Sequence, residues 1–125
     1  MKKLVYISHP SGGKIENTKK VEYIMHKLLK SEELYNKYCF VSPIHCYGFM
    51  YEETDYSRGL SFCTDLLKHC DIMLLCGNWK DSRGCRAEME LCNRNNIKVL
   101  ELPTDAELDN LIKLGDIEDC IKQTK

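Results

Sequence analysis

This sequence lacks long apolar runs and clusters of positive charge. A membrane-spanning helix needs about 20 consecutive apolar residues, and no segment approaches that length. The start, MKKLVYISHP, is apolar over far too few residues for a signal peptide. Formal net charge is −1, and no basic cluster marks a surface for nucleic acid or anionic lipid. We therefore expect a cytoplasmic protein with no membrane partner and no nucleic-acid partner.

Linkers, repeats and low-complexity segments are also missing, so residues 1–125 are predicted to form a single domain. Cysteine is abundant, but none of the eight cysteines forms a CxxC pair, and the four histidines do not stand at zinc-motif spacing beside them. Cys63 with Cys70, and Cys85 with Cys92, are each seven apart, on one face of a helix. We predict that these four are buried and reduced, with no metal and no cofactor.

Strands alternate with amphipathic helices along the chain. Strands are predicted at 3–8, 38–42, 72–76 and 97–102, with helices from Glu16 or Asn17, over 55–70, over 84–92 and after Thr104. At most one further helical turn is expected in 116–125. This alternation predicts an α/β fold, a flavodoxin-like (Rossmann-like) three-layer sandwich with a parallel sheet of four or five strands. The order 2-1-3-4 places the switch point, where such folds bind ligands, between strands 1 and 3.

The loop after the first strand lacks the known phosphate-binding patterns, GxxxxGK[ST] and GxGxxG. Its adjacent glycines, Gly12 and Gly13, still allow backbone N–H groups to approach an anion. A plain strand-to-helix turn is the alternative. After the second strand and Pro43 comes a loop rich in rings, which suits stacking on a flat ligand such as a nucleobase; a loop pinned by its own side chains is the alternative. The rings are His45, Tyr47, Phe49, Tyr51 and Tyr56.

One acidic residue lies where an apolar one is expected. On a wheel of about 100° per residue, Glu88 falls near the middle of the apolar arc of the helix that follows the third strand. Burying an ionised carboxylate without partners costs roughly several kcal/mol. Glu88 is therefore predicted to face a cavity, because perturbed carboxylates concentrate at functional sites. Pairing with Arg83 or Lys80 is the alternative.

Several groups of residues resemble the nucleoside 2-deoxyribosyltransferase-like superfamily. They are Tyr6-Ile7-Ser8-His9-Pro10, Pro43, Cys70-Asp71, and Ser82-Arg83-Gly84 with Glu88. The best motif is SxGxxxE, at Ser82, Gly84 and Glu88. The similarity covers roughly residues 3–102, and the branch it resembles most consists of small bacterial and phage proteins known only as a domain of unknown function.

The resemblance implies cleavage or transfer of the N-glycosidic bond of a (deoxy)nucleoside or nucleoside 5′-monophosphate. The residue that matches the nucleophile is Glu88, which would attack the anomeric carbon and release the base. Tyr6 would orient that carboxylate, and Ser82 would bind the 5′-phosphate. Relatives complete their pockets across subunits, so a homodimer or higher homo-oligomer is also expected.

The expected substrate contacts come from the loops at the switch point and after the second strand. They are Ser8, His9, Gly12, Gly13, His45, Gly77, Ser82, Arg83 and Gly84. Ser82 and the N–H groups of Arg83 and Gly84 lie at a predicted helix start, where the helix dipole favours anions. Arg83 would add a charge-assisted contact, with a solvated side chain as the alternative.

One position departs from the family's pattern. Relatives with demonstrated chemistry carry an aspartate where this chain has Cys63, and Asp65 lies on the opposite, solvated side of that helix. The missing carboxylate would bind the sugar hydroxyl or assist proton transfer to the leaving base. The alternative function is therefore a catalytically impaired nucleotide-binding module, a sensor or a sequestering protein. A flavodoxin or response-regulator relative would share only the fold.

Overall fold

A computed structural model of the chain describes residues 1–48 and 56–124. Its centre is a four-stranded, all-parallel sheet in the order β2-β1-β3-β4. The strands are β1 (Lys3–Ser8), β2 (Tyr38–Val41), β3 (Ile72–Cys76) and β4 (Lys98–Leu102). All five residues of β3 are buried, as expected for a central strand covered on both faces. The predicted α/β class, the flavodoxin-like fold and the strand order are confirmed.

Helices flank the sheet. In the described part of the chain they are α1 (Ile15–Lys30), α2 (Glu32–Lys37), α3 (Pro43–Tyr47), α4 (Tyr56–Lys68), α5 (Arg83–Asn95), α6 (Asp105–Leu114) and α7 (Ile117–Gln123). A 3₁₀ turn, Trp79–Asp81, precedes α5. None of the helices described here is long and apolar enough to cross a membrane.

Three short helices differ from the sequence prediction because local caps create them. Ser31 accepts a hydrogen bond from the Leu34 N–H and starts α2. Pro43 occupies the first turn of α3, where its missing N–H costs nothing, so part of the predicted ring-rich loop is helical. Asp116 caps α7, a full helix where at most one turn was predicted.

Two hydrophobic clusters lie on opposite faces of the sheet. Alternate residues of a strand point to opposite faces, so Val5 and Ile7 of β1 join the cluster packed by α1, α2, α6 and α7. Tyr6 joins the cluster packed by α4 and α5. The predicted three layers follow from this division, and it places Tyr6 and Ser8 on the same face as α5.

All eight cysteines are free thiols. Cys70, Cys85 and Cys92 are buried as predicted, but Cys63 is only half-buried. The difference arises because Cys63 lines a cavity instead of the packed core.

Candidate active site

A cavity of about 830 Å³ opens at the carboxyl ends of β1 and β3. Its size falls within the range of roughly 300–1,000 Å³ that is usual for small-molecule sites. Its walls come from the loop after β1, the start of α1, α3, α4 and the connection from β3 into α5. This is the switch point between strands 1 and 3, where the strand order predicts a ligand site.

Glu88 is 6% exposed and lies on α5 with its side chain at the cavity wall. The Ser8 hydroxyl donates to Oε1 at 2.8 Å, and the Tyr6 hydroxyl donates to Oε2. Among the described residues the hydrogen-bond partners of this carboxylate are these hydroxyls, not Arg83 or Lys80. The prediction that Glu88 faces a cavity is therefore confirmed, and so is its contact with Tyr6.

Burial and hydrogen bonding act in opposite directions on Glu88. Burial raises the pKa of its carboxyl, and the hydrogen bonds from Tyr6 and Ser8 offset part of that rise. Burial, followed by the negative charge of Glu88, raises the pKa of Tyr6 well above its usual value. Tyr6 thus stays protonated and remains a donor to the carboxylate.

Cys63 forms part of the wall contributed by α4. Burial, followed by the charge of Glu88, raises the pKa of this thiol to about 11, although the Tyr6 hydroxyl offsets part of the rise. The helix therefore presents a neutral thiol to the cavity. Asp65 is exposed, as the wheel predicted.

His9 follows the two hydroxyl-bearing positions of β1 and is 9% exposed. Its Nδ1 lies 2.7 Å from the carbonyl oxygen of Pro10, which can only accept, so Nδ1 carries the proton. Burial lowers the pKa of His9, the hydrogen bond to Pro10 offsets part of that fall, and the positive charge of Lys20 adds a smaller lowering. Gly77 has φ +67°, and a Cβ there would lie 3.1 Å from Nε2 of His9, so a larger residue would be strained and would crowd the ring.

The Ser82 end of the cavity lies at the capped start of a helix. The Ser82 hydroxyl accepts from the Cys85 N–H at 3.2 Å and caps α5, whose first-turn N–H groups lie at the positive end of the helix dipole. Lys14 and Lys20 also line the cavity, and Arg83 stands at the start of α5. Three cationic side chains therefore line the cavity, together with the carboxyl groups of Asp81 and Glu88.

Several lining residues were not predicted from the sequence: Lys14, Asn17, Lys20, Asn78 and Asp81. Asn17 donates to the carbonyl of Ser11 at 2.9 Å and so holds the loop after β1. Lys14, Asn17 and Lys20 are three residues apart at the start of α1, which places them along one side of the helix. That spacing, directly after a loop at the switch point, was the signal available in the sequence.

Most of the predicted contact residues line the cavity: His9, Gly12, Gly77, Ser82, Arg83 and Gly84. Ser8 is fully buried behind them and contacts Glu88. Gly13 and His45 are not among the described lining residues. His45 lies outside because α3 directs it to the Ser42 hydroxyl at 2.7 Å and to Glu22 at 3.0 Å.

The predicted ring-rich loop is only partly described. Tyr47 lines the cavity and stacks on Phe62, with 5.4 Å between ring centroids. Phe49 and Tyr51 lie outside the described residues, as does the side chain of Tyr56. No group of three or more His, Cys, Asp or Glu side chains in the described ranges could hold a metal ion.

The fold and this site define a flavodoxin-like α/β protein with a buried, doubly hydrogen-bonded carboxylate at its switch point. The chain belongs to the family described as a domain of unknown function, DUF7768, whose model matches residues 3–102. That match includes Glu88, Tyr6 and all the predicted contact residues. A comparison with curated proteins found no match.

Proposed function

We propose that this protein cleaves or transfers the N-glycosidic bond of a (deoxy)nucleoside or nucleoside 5′-monophosphate, with Glu88 as the nucleophile. The observation that carries the proposal is the Glu88 carboxylate, buried at the wall of a ligand-sized cavity and bonded by Tyr6 and Ser8. A nucleophile needs a fixed orientation, and two hydroxyls from one rigid strand supply it. The resemblance to nucleoside 2-deoxyribosyltransferases indicates which reaction this arrangement would catalyse.

In the proposed reaction a carboxylate oxygen of Glu88 bonds to the anomeric carbon of the sugar. The carbon–nitrogen bond breaks, its electron pair leaves with the base, and a glycosyl ester remains on Glu88. Water or a second base then takes the sugar and regenerates the carboxylate. Because attack requires the ionised form, the hydrogen bonds from Tyr6 and Ser8 serve the reaction by opposing the effect of burial on the pKa.

A 5′-phosphate would complement the charge at the Ser82 end of the cavity. The capped start of α5 offers N–H groups, and the cations of Lys14, Lys20 and Arg83 lie around the same cavity. The ring of Tyr47 supplies an aromatic surface for a flat base. These features favour nucleoside 5′-monophosphates over free nucleosides within the proposed substrate class.

Cys63 supports a second candidate, a nucleotide-binding module without turnover. A thiol with a pKa of about 11 is a poor proton donor to a leaving base and cannot replace an ionised aspartate on a sugar hydroxyl. The cavity and its cations would still bind a nucleotide. Such a protein would act as a sensor or would sequester its ligand.

Incubation with nucleosides and nucleoside 5′-monophosphates, with free base measured by chromatography, separates the two candidates. Release by wild type but not by Glu88→Gln supports the enzyme. Binding in calorimetry with no release by wild type supports the binding module. If wild type neither binds these compounds nor releases a base from them, both candidates are excluded.

We also propose that the protein forms a homodimer or a higher homo-oligomer. The exposed ring of Phe62, stacked on Tyr47 beside the cavity, would be covered in such an assembly. Light scattering at high micromolar concentration tests this, because a monomeric mass would contradict it. Phe62→Ser should lower the mass if this ring lies in the interface.

A further inference from the structure

We propose that His9 is the general base that takes a proton from the water that hydrolyses the glycosyl–Glu88 ester. The inference rests on the proposed function and concerns the step after the base has left. In that step the water oxygen bonds to the anomeric carbon as the bond from carbon to the Glu88 oxygen breaks, and the electron pair returns to the carboxylate. The water proton passes to Nε2 of His9, and the imidazolium then loses it to solvent.

The hydrogen bond at Nδ1 decides which nitrogen of His9 can act. Nδ1–H donates to Pro10 at 2.7 Å, so Nε2 keeps a lone pair in the neutral ring. Within the described residues Nε2 has no hydrogen-bond partner. Every fully buried polar side-chain atom there does have one, so Nε2 is accessible to solvent, and His9 is a lining residue of the cavity.

The position of His9 connects it to the nucleophile. Ser8, its neighbour in the chain, donates directly to Glu88, and both His9 and Glu88 line the same cavity. Gly77 lies against the His9 ring and leaves room for Nε2. The ring is therefore held by β1 on one side and by the residue that follows β3 on the other.

The neutral ring of His9 is better suited to accept a proton from water than to donate one to the base or to the phosphate. A neutral imidazole with a bare Nε2 accepts hydrogen bonds there, so it neither protonates the leaving base nor binds a phosphate oxygen. Burial, the largest effect, and the charge of Lys20 lower the pKa of the ring, and the hydrogen bond to Pro10 offsets only part of that fall. The other candidate bases in the cavity are less suited: the Cys63 thiol is neutral with its proton in place, and Asp81 is exposed and accepts from Asn78 at 2.6 Å.

Two variants separate the functions of the two ring nitrogens. In His9→Asn the amide can still donate to Pro10, but no atom replaces Nε2. In His9→Gln an amide oxygen can accept a hydrogen bond near Nε2 without being a useful base. His26→Asn, at an exposed site on α1, is the matched control.

The measurements are rapid-quench base release and intact-protein mass after mixing with the four deoxyribonucleoside 5′-monophosphates. We expect both His9 variants to release about one base per site in the first turnover. Later turnovers should be slower than in wild type by about 10²-fold or more, which is the loss expected when a general base is removed. The mass should increase by one sugar phosphate, on Glu88. Wild type and His26→Asn should turn over without accumulating this adduct.

Normal turnover in both His9 variants would overturn this inference and leave the proposed function standing. Loss of the initial burst in variants that still bind nucleotide would also overturn it, because His9 would then act before the ester forms. Absence of base release by wild type would overturn both proposals. Nitrogen-15 NMR of wild type adds a test that needs no variant: a proton on Nε2 at neutral pH would contradict the assignment.

Discussion

Tyr6, fully buried on the first strand, donates a hydrogen bond to Oε2 of Glu88, 82 positions later on α5. Ser8, two residues along the same strand, donates to the other oxygen at 2.8 Å. Both donors therefore belong to the sheet, whose hydrogen-bonded ladder fixes them more firmly than a loop would. The carboxylate is held at its wall of the cavity even before a ligand enters.

Glu88→Gln should lower base release by about 10⁴-fold or more, the scale of losses seen when a covalent nucleophile is removed. Nucleotide binding should persist because the amide is nearly isosteric with the carboxylate. Glu90→Gln on the exposed side of α5, where Glu90 pairs with Arg94 at 3.3 Å, is the matched control. Base release and calorimetry on both variants check this, and an active Glu88→Gln would exclude Glu88 as the nucleophile.

Tyr6→Phe should slow base release less than loss of Glu88 does, because it removes a donor and leaves the nucleophile. Without that donor the pKa of Glu88 should rise further, so the acidic limb of the pH–rate profile should move to higher pH. The control is Tyr38→Phe, which removes a hydroxyl that accepts from the Ile117 N–H at 3.1 Å. It should cost about 1–3 kcal/mol of stability and leave the profile in place.

The raised pKa of Glu88 also predicts how the stability of the protein depends on pH. A carboxyl whose pKa is higher in the folded than in the unfolded protein favours folding while protonated, and that contribution is lost as pH rises through the folded value. Relative to wild type, Glu88→Gln should therefore gain stability as pH rises from about 4.5, the usual value, to neutrality. Urea unfolding of both proteins at several pH values measures this, and a constant difference would contradict it.

Local patterns were sufficient to predict the sheet, because each strand is short, apolar and bounded by breakers. β3 is buried along its whole length, and Thr104 caps α6 with Glu107 in a capping box that the sequence displays. The short helices were harder to predict from the sequence. α3 depends on Ser42 and Pro43 acting together, and α7 on burial of Ile117 against the remainder of the core, a tertiary contact that periodicity does not report.

The candidate site was predictable where a residue broke its local pattern. Glu88 interrupts an apolar arc, so the sequence predicted its burial and favoured a cavity over pairing with Arg83 or Lys80. His45 had no such signal: its ring is chemically suited to a ligand, but the direction of α3 turns it toward Ser42 and Glu22. Lys20 was overlooked because an exposed lysine on a helix is ordinary until the fold places it beside a cavity.

Ser82→Ala tests the anion end of the cavity. Loss of the cap on α5 should cost about 0.5–2 kcal/mol, and affinity for nucleoside 5′-monophosphates should fall while affinity for nucleosides stays unchanged. Ser31→Ala removes the equivalent cap of α2, whose Leu34 N–H lies 3.3 Å from the Ser31 hydroxyl, and should lower stability alone. Equal losses of nucleoside and nucleotide affinity in calorimetry would exclude a phosphate role for Ser82.

Cys63→Asp tests whether a second carboxylate is all that the cavity lacks for efficient base release. Cys63 is half-buried at the wall beside Tyr6 and Glu88, so an aspartate there can reach both the cavity and solvent. We expect base release to increase about tenfold or more, because a second acidic group contributes to proton transfer and sugar binding. A like charge near Glu88 should also raise the pKa of Glu88 further and move the acidic limb of the profile to higher pH.

Cys63→Asn provides the matched comparison, since asparagine has nearly the shape of aspartate and no charge. A gain from aspartate that asparagine does not reproduce would assign the effect to the carboxylate; an equal gain from asparagine would assign it to shape or polarity. Base release and nucleotide binding should be measured together on both variants and on wild type. If wild type and Cys63→Asp both bind nucleotide and neither releases base, then the hydroxyl-bound Glu88 is not a nucleophile, and the binding module is the better description of this cavity.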